Sequence, residues 1–249
     1  GESVAVGDIN GDGYDDIAVG VPSEGVGWGR RAQDRAGAVH IIYGSLNGAS
    51  GLDSQWFYQN TSGWPDTSEK NDFFGSSLDV ADIDDDGYAD IIVGAPGEDV
   101  GSKVDAGIIQ IAYNPGGHAA TPTSVQTLNQ AVPGVAGTIE PGSRFGTFIL
   151  ATDVTNDGIA DILVGTPNKT VAGRQNAGII SLFPTINGKP SLTSDQMFHV
   201  NQSFFAGSAQ SYGLFGTSIA TLGNDLIIGS PGRNVSGLSN AGAIYYLNR

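Results

Sequence analysis

Apolar and polar residues alternate along nearly the whole chain in stretches of four to eight positions, and Gly, Pro, Asn or Asp closes almost every stretch. A period of two marks strands with one buried face, and punctuation of this kind marks tight turns. No helical period outlasts a single turn. The second quarter of the chain shows the unit most clearly. It reads as a strand near Ser76 to Ala81, an acidic turn, a strand from Asp90 to Val93, a loop, a strand from Gly107 to Tyr113 and an outer strand from Ser124 to Leu128. That order predicts a four-stranded antiparallel sheet.

The unit recurs. Gly20-Val21-Pro22, Gly94-Ala95-Pro96, Gly165-Thr166-Pro167 and Gly229-Ser230-Pro231 are spaced by 74, 71 and 64 residues. Each is followed by a second marker, at Ala36-Gly37, Ala106-Gly107, Ala177-Gly178 and Ala241-Gly242, that leads into an apolar run. A third marker, Phe74-Gly75, Phe145-Gly146 and Phe215-Gly216, precedes the last three, and Gly1 stands where a fourth Phe-Gly glycine belongs. From that glycine to the Gly-x-Pro glycine the interval is 19, 19, 19 and then 13 residues, so the fourth repeat lacks six residues at one place. The repeats run approximately 1–73, 74–144, 145–214 and 215–249 of a single domain.

One small sheet cannot bury both of its faces, so successive sheets must stack, and radial stacking gives an all-β propeller. A β-solenoid is the alternative, but its rungs are usually about 20–30 residues, well short of this period. Outer strands are expected at Gln55 to Gln59, Ser124 to Leu128 and Gln196 to Val200. None follows the fourth repeat, which predicts an open edge where self-assembly or a partner chain could complete the blade.

Composition narrows the function. The 249 residues include 26 acidic and 11 basic side chains, a net charge of −15. This argues against nucleic acid, which selects for clustered Lys and Arg. With no Cys, a disulfide framework, a thiolate zinc site and a Cys nucleophile are excluded. No apolar run approaches the ~18 residues of a membrane-spanning helix. His40, His118 and His199 are isolated, no nucleophile elbow or phosphate loop is present, and catalysis is not expected. Asn60, Asn168, Asn201 and Asn234 fit Asn-x-Ser/Thr, a permissive pattern only. Leu78-Asp79-Val80 falls in a predicted inner strand and reads as core.

The six missing residues fall where the other repeats concentrate carboxylates. There the chain reads Asp8, Asn10, Asp12, Gly13 and Asp16; then Asp82, Asp84, Asp86, Gly87 and Asp90; then Asp153, Thr155, Asp157, Gly158 and Asp161. Alternate residues of a tight turn point their oxygens inward, Gly at the sixth position permits the bend, and the seventh residue offers a backbone carbonyl, here that of Tyr14, Tyr88 or Ile159. This is the logic of calcium coordination, whereas magnesium rarely uses an all-protein cage. Two carboxylates ~5 Å apart repel by about 3 kcal/mol at an effective dielectric of ~20, so several in one turn imply a bound cation. An EF-hand would need Glu at the twelfth position between helices. Here Val19, Val93 and Val164 stand there, in strands. Three Ca²⁺ sites are expected, the second loop tightest because it carries most carboxylates and the third weakest because Thr155 offers only a hydroxyl.

Phe-Gly, the Asp-rich loop and Gly-Ala-Pro in that order resemble the FG-GAP repeats of integrin α-subunit propellers and their bacterial relatives, over essentially the whole chain. The resemblance implies a propeller whose calcium loops join the first and second strands of each blade, on the face opposite the ligand face, with the Asp clusters structural. Such propellers usually have seven blades, so four repeats mean either a four-bladed ring or part of a larger one. On the opposite face, the loop from Ser23 to Ala36 is four residues longer than its counterparts at 97–106, 168–177 and 232–241. It gathers Trp28, Arg30, Arg31 and Arg35, with Trp64 in the following connection, and aromatic and Arg clusters serve as binding hot spots. Plain pairing of these arginines with Asp34 and Glu24 is the alternative.

The expected function is therefore an extracellular, calcium-binding, integrin-like module for adhesion or binding of a protein or glycan ligand. Alternatives are an accessory propeller of a larger secreted enzyme, as in glycosylphosphatidylinositol-specific phospholipases, a structural subunit of an extracellular assembly, or a lectin.

Overall fold

The computed structural model describes residues 1–27, 32–114, 116 and 122–248. The alternating segments form antiparallel strands, and among the described residues there is no α-helix. The first sheet has the order β1 (Ser3–Gly7), β2 (Asp16–Val21), β3 (Ala38–Tyr43), β4 (Ser50–Phe57). The second repeats it with β5 (Ser77–Ala81), β6 (Asp90–Ala95), β7 (Ile108–Tyr113) and β8 (Ser124–Leu128). The third consists of β9 (Phe148–Thr152), β10 (Asp161–Thr166), β11 (Ile179–Phe183) and β14 (Gln196–Phe198), with a hairpin of β12 (Thr185–Ile186) and β13 (Lys189–Pro190) inserted before the outer strand. The fourth has three strands, β15 (Ser218–Leu222), β16 (Asp225–Ser230) and β17 (Ala243–Leu247).

The first strands of the sheets pack in succession, β1 on β5, β5 on β9 and β9 on β15, as blades do around a propeller axis. β1 and β15 make no comparable contact. Burial follows from this stacking. Strands β6, β7, β10 and β11 are buried along their full length, because each lies in a sheet covered on both faces. Strands β2 and β16 alternate, since each belongs to a sheet covered on one face only. Val4, Val6, Leu222, Ile244 and Tyr246 accordingly stand exposed on the outermost sheets.

The sequence markers are the stitching between sheets. The Phe74, Phe145 and Phe215 side chains are fully buried. Their N–H groups donate to Ala36, Ala106 and Ala177 of the preceding sheet, each at 2.9 Å. Gly75 and Gly216 donate to Gly94 and Gly229 of their own sheets at 2.9 and 3.0 Å. Ser3 and Ser77 hydroxyls donate across the junctions to the Gly75 and Gly146 carbonyls at 2.8 and 2.7 Å. A Cβ on Gly20, Gly94 or Gly165 would collide with the carbonyl of the next sheet's Phe-Gly glycine, which is why the Gly-x-Pro marker must open with Gly.

Two elements depart from expectation. The first outer strand runs Ser50–Phe57 where residues 55–59 were expected. Its side chains are almost all exposed, so it carries no alternation to read, and a bulge between Ile41 and Tyr43 shifts its register. The hairpin of β12 and β13 turns on Asn187-Gly188, both at positive φ, an Asn-Gly signal that marks such turns directly.

Candidate metal centre

The three acidic segments are eight-residue loops joining the first and second strands of sheets one to three, between the register pairs Gly7↔Asp16, Ala81↔Asp90 and Thr152↔Asp161. They share one turn. The Asp8 carboxylate accepts N–H groups of Gly11, Asp12 and Gly13 at 2.8–3.1 Å. Asp82 accepts those of Asp86 and Gly87 at 3.1 and 2.9 Å. Asp153 accepts those of Asn156, Asp157 and Gly158 at 2.6–3.2 Å. The fifth-position aspartates, Asp12, Asp86 and Asp157, accept the N–H of Tyr14, Tyr88 and Ile159 at 2.9–3.0 Å. The backbone of each loop thus curls around its first carboxylate.

In the second loop the convergence is complete: Asp82, Asp84 and Asp86 offer oxygens within 4.8 Å of one another. Asp84 Oδ1 is buried with no hydrogen-bond partner. Burial, then the neighbouring Asp86 and Asp82 charges, push the Asp84 pKa up. This donor set, all oxygen and strongly anionic, fits a hard divalent cation. In the first loop Asn10 Nδ2 donates to Asp12 at 3.1 Å and the Asp12 N–H returns to Asn10 Oδ1 at 2.9 Å, so its third position is tied up internally.

The ninth-position carboxylates do something the sequence reading did not foresee. Asp16, Asp90 and Asp161 are fully buried. Asp16 Oδ2 accepts the Ile9 and Asn10 N–H groups at 3.0 and 3.1 Å, and Oδ1 accepts that of Gly44 at 2.8 Å. Asp161 does the same for Val154, Thr155 and Thr185 at 2.9–3.0 Å. Asp90 clamps Ile83 at 3.0 Å and Asn114 at 2.9 Å, and burial pushes its pKa up to about 7. Each ties the start of its loop to the end of the third strand. A signal existed: Asp225 keeps this place in the fourth repeat, which has no acidic loop.

The loops lie side by side. Tyr88 of the second covers Gly11 of the first, where a Cβ would strike its ring, and Ala89 N–H donates to Asp8 O at 3.2 Å. Gly188 of the third sheet's hairpin abuts Asp84.

The residues expected on the other face fare differently. Trp28, Arg30 and Arg31 lie outside the described residues. Arg35, at φ 55°, holds its guanidinium 5.6 Å from the Phe73 ring at the junction of the first two sheets. Trp64 is not on a ligand face: it is buried, stacked on Phe57 at 4.9 Å and edge-on to Phe74 at 5.1 Å, because its apolar area closes the core under the connection. The exposed tryptophan among those described is Trp56, stacked between His40 and Tyr58 on the outer strand. Asp79 of Leu78-Asp79-Val80 faces the third sheet, accepting the Ala151 N–H at 2.7 Å.

Comparison with known proteins bears directly on these markers. The model of the FG-GAP repeat matches residues 1–42, 74–111 and 145–183. These are FG-GAP repeats. Phosphatidylinositol-glycan-specific phospholipase D of Rattus norvegicus is 30% identical over 248 residues, covering 96% of this chain and 27% of the relative. The Dictyostelium discoideum protein of the same name is 28% identical over 93% of this chain and 24% of the relative. Integrin alpha pat-2 of Caenorhabditis elegans is 30% identical over 72% of this chain and 13% of the relative. The chain thus spans about a quarter of the phospholipase D relatives and less of the integrin. Among the described residues no helix is long and apolar enough to cross a membrane.

Proposed function

We propose that the chain is a calcium-stabilised, extracellular FG-GAP propeller segment that serves as a binding or adhesion module and performs no catalysis itself. The observation that carries this is the contrast between loops. In sheet four the two-residue turn Gly223-Asn224 joins the same strands in the same register, Ser218↔Gly229 through Leu222↔Asp225, that an eight-residue acidic loop joins elsewhere. Strand pairing therefore does not need the acidic loops, and ion binding accounts for them.

The ions would be held by the oxygens of Asp8, Asn10 and Asp12, of Asp82, Asp84 and Asp86, and of Asp153, Thr155 and Asp157, with the carbonyls of Tyr14, Tyr88 and Ile159. Asp16, Asp90 and Asp161 support each loop from beneath. Bound calcium fixes the loops, and these fix the spacing of the sheets. A protein or glycan ligand would then meet the face opposite, where the long loop bearing Trp28, Arg30, Arg31 and Arg35 begins.

Native mass spectra recorded in calcium and after chelation test this reading. Three loop-bound ions that depart on chelation are expected, with Asp86→Ala losing the second-loop ion. An unchanged mass would overturn it. A second reading, that the chain is the accessory propeller of a larger enzyme, is favoured by the near-complete match to the phospholipase D relatives. A hydrolase domain in the same polypeptide would decide for it.

A further inference from the structure

The junctions between successive sheets are built alike, yet one differs from the next in charge. Two residues after each Gly-x-Pro marker stands a residue whose carbonyl accepts the N–H of the following Ala-Gly glycine: Glu24, Glu98, Lys169 and Arg233, at 2.9–3.0 Å. The last three face the connection that leads into their own sheet. At the junction of sheets two and three, the Lys169 ammonium enters that connection, 3.7 Å from Glu140 and bonded to the Thr138 carbonyl. At the junction of sheets three and four, Arg233 donates to the Ser208 carbonyl at 2.8 Å. A cation thus sits at both places.

At the junction of sheets one and two the same position is an acid. Glu98 is buried, and so is Asp72, brought beside it by the Gly97 N–H to Asp72 O bond at 3.0 Å. Counting back from the buried Phe of each Phe-Gly marker, Glu69 and Asp72 correspond to Glu140 and Ser143. The three groups Glu98, Glu69 and Asp72 carry a formal −3, whereas Lys169, Glu140 and Ser143 carry +1 − 1 = 0. Fully buried Gln59 closes the site, its Nε2 donating to Glu98 Oε2 at 2.6 Å. Its Oε1 has no partner, and neither has the buried Ser68 hydroxyl. Each carboxylate has a hydrogen bond, Glu98 from Gln59 and Asp72 from the Glu69 N–H, but no ion pair joins them, and buried anions beside unpaired buried oxygens are costly unless a cation joins them.

We infer that this junction holds a divalent cation of its own, calcium by its all-oxygen donors, bound by Glu98, Asp72 and the Gln59 amide oxygen in the place that Lys169 fills one junction on. The ion does for sheets one and two what the lysine does for sheets two and three: it offsets most of the negative charge of the connection and pins it to the next Gly-x-Pro turn. A hard cation takes such oxygens in preference to softer ligands.

The test compares calcium stoichiometry in the wild type, Glu98→Lys and Glu98→Gln by native mass spectrometry, with thermal melts in excess chelator. Both variants should bind one ion fewer than the wild type. Glu98→Lys, which builds the next junction's solution into this one, should melt higher than the wild type in chelator. Glu98→Gln covers the case in which the lysine prevents folding. Equal ion counts in the wild type and the folded variants would overturn the site. The difference between wild type and variant is read whether or not the Asp loops are filled. Failure here is therefore visible separately from failure of the loops, which Asp86→Ala reports.

Discussion

The second and fourth sheets are the same structure made under different obligations. Both pair their first two strands in one register, ending at a Gly and beginning at an Asp. The second carries eight residues between those strands and is buried on both faces, while the fourth carries two and is buried on one. Two things can therefore be removed from a repeat without changing its pairing: the acidic loop, and the neighbour on the outer face. What remains in both is the Gly-x-Pro turn, the Ala-Gly turn, the Phe-Gly dipeptide and the ninth-position aspartate. Those four are the scaffold. The loop is an addition to it.

Chelation should produce the largest effect. With calcium at a hundredfold excess over Kd, each site contributes about 2.7 kcal/mol, or about 8 kcal/mol for three loops. At roughly 2–4 °C per kcal/mol for a chain of this size, the melting temperature should fall by roughly 15–30 °C. Differential scanning calorimetry with and without chelator measures it. A shift under ~3 °C would show that the loops of sheets one to three are as idle as the turn of sheet four.

Asp90→Ala should come next, because it strikes the scaffold. The Ile83 and Asn114 N–H groups would lose their acceptor in a buried setting, at about 1–3 kcal/mol each. The cost should persist in chelator, which separates the clamp from any metal role. Asp225→Ala is the comparison in sheet four: its carboxylate, half-buried rather than fully buried, accepts from the exposed Tyr246 hydroxyl and Asn248 amide, and urea melts should register a smaller effect.

How much of this the sequence carried depends on where each signal resides. The four repeats, the strand order and the Asp-x-x-x-Asp-Gly turns were legible because period, punctuation and charge are local properties. Phe74, Gly94 and Gly107 were legible only as markers, since their reason lies in the next sheet, where a carbonyl or ring approaches their backbone. Trp64 was misplaced for the same cause: an aromatic in a polar connection looks exposed until the core beneath it is known. The three-acid setting of Glu98, Glu69 and Asp72 was invisible, because its members come from two connections some thirty residues apart. The fourth repeat was readable by its spacing, although the family match stops at residue 183.

The outer face offers a finer test. A Cβ on Gly94 meets the Gly146 carbonyl of the next sheet, whereas a Cβ on Gly229 meets only Ser218, whose hydroxyl can turn away. Gly94→Ala should cost about 1–3 kcal/mol by overpacking, and Gly229→Ala less than about 1. Equal costs would mean that the face of sheet four, with Ile244 and Tyr246, is covered in solution, as an added blade or a second copy would cover it. Concentration-dependent melting of the wild type alone would then point to the second copy.

The smallest expected effect cuts deepest into the comparison. Replacing residues 153–160 by Gly-Asn gives sheet three the turn of sheet four. Gly223 already shows that such a turn works, with its φ of 60° at the first central position, where a hairpin of this kind places glycine. Shortening the loop from eight residues to two lowers its closure cost by about 1 kcal/mol, while the change takes the Val154 and Thr155 N–H donors away from the buried Asp161 carboxylate, a loss of about 1–3 kcal/mol. In chelator the graft should therefore stay within about 2 kcal/mol of the wild type, while in calcium it should fall further below it and bind one ion fewer. If the graft instead unfolds sheet three in chelator, the loop is part of the fold, and the equivalence of the second and fourth sheets holds only for their strands.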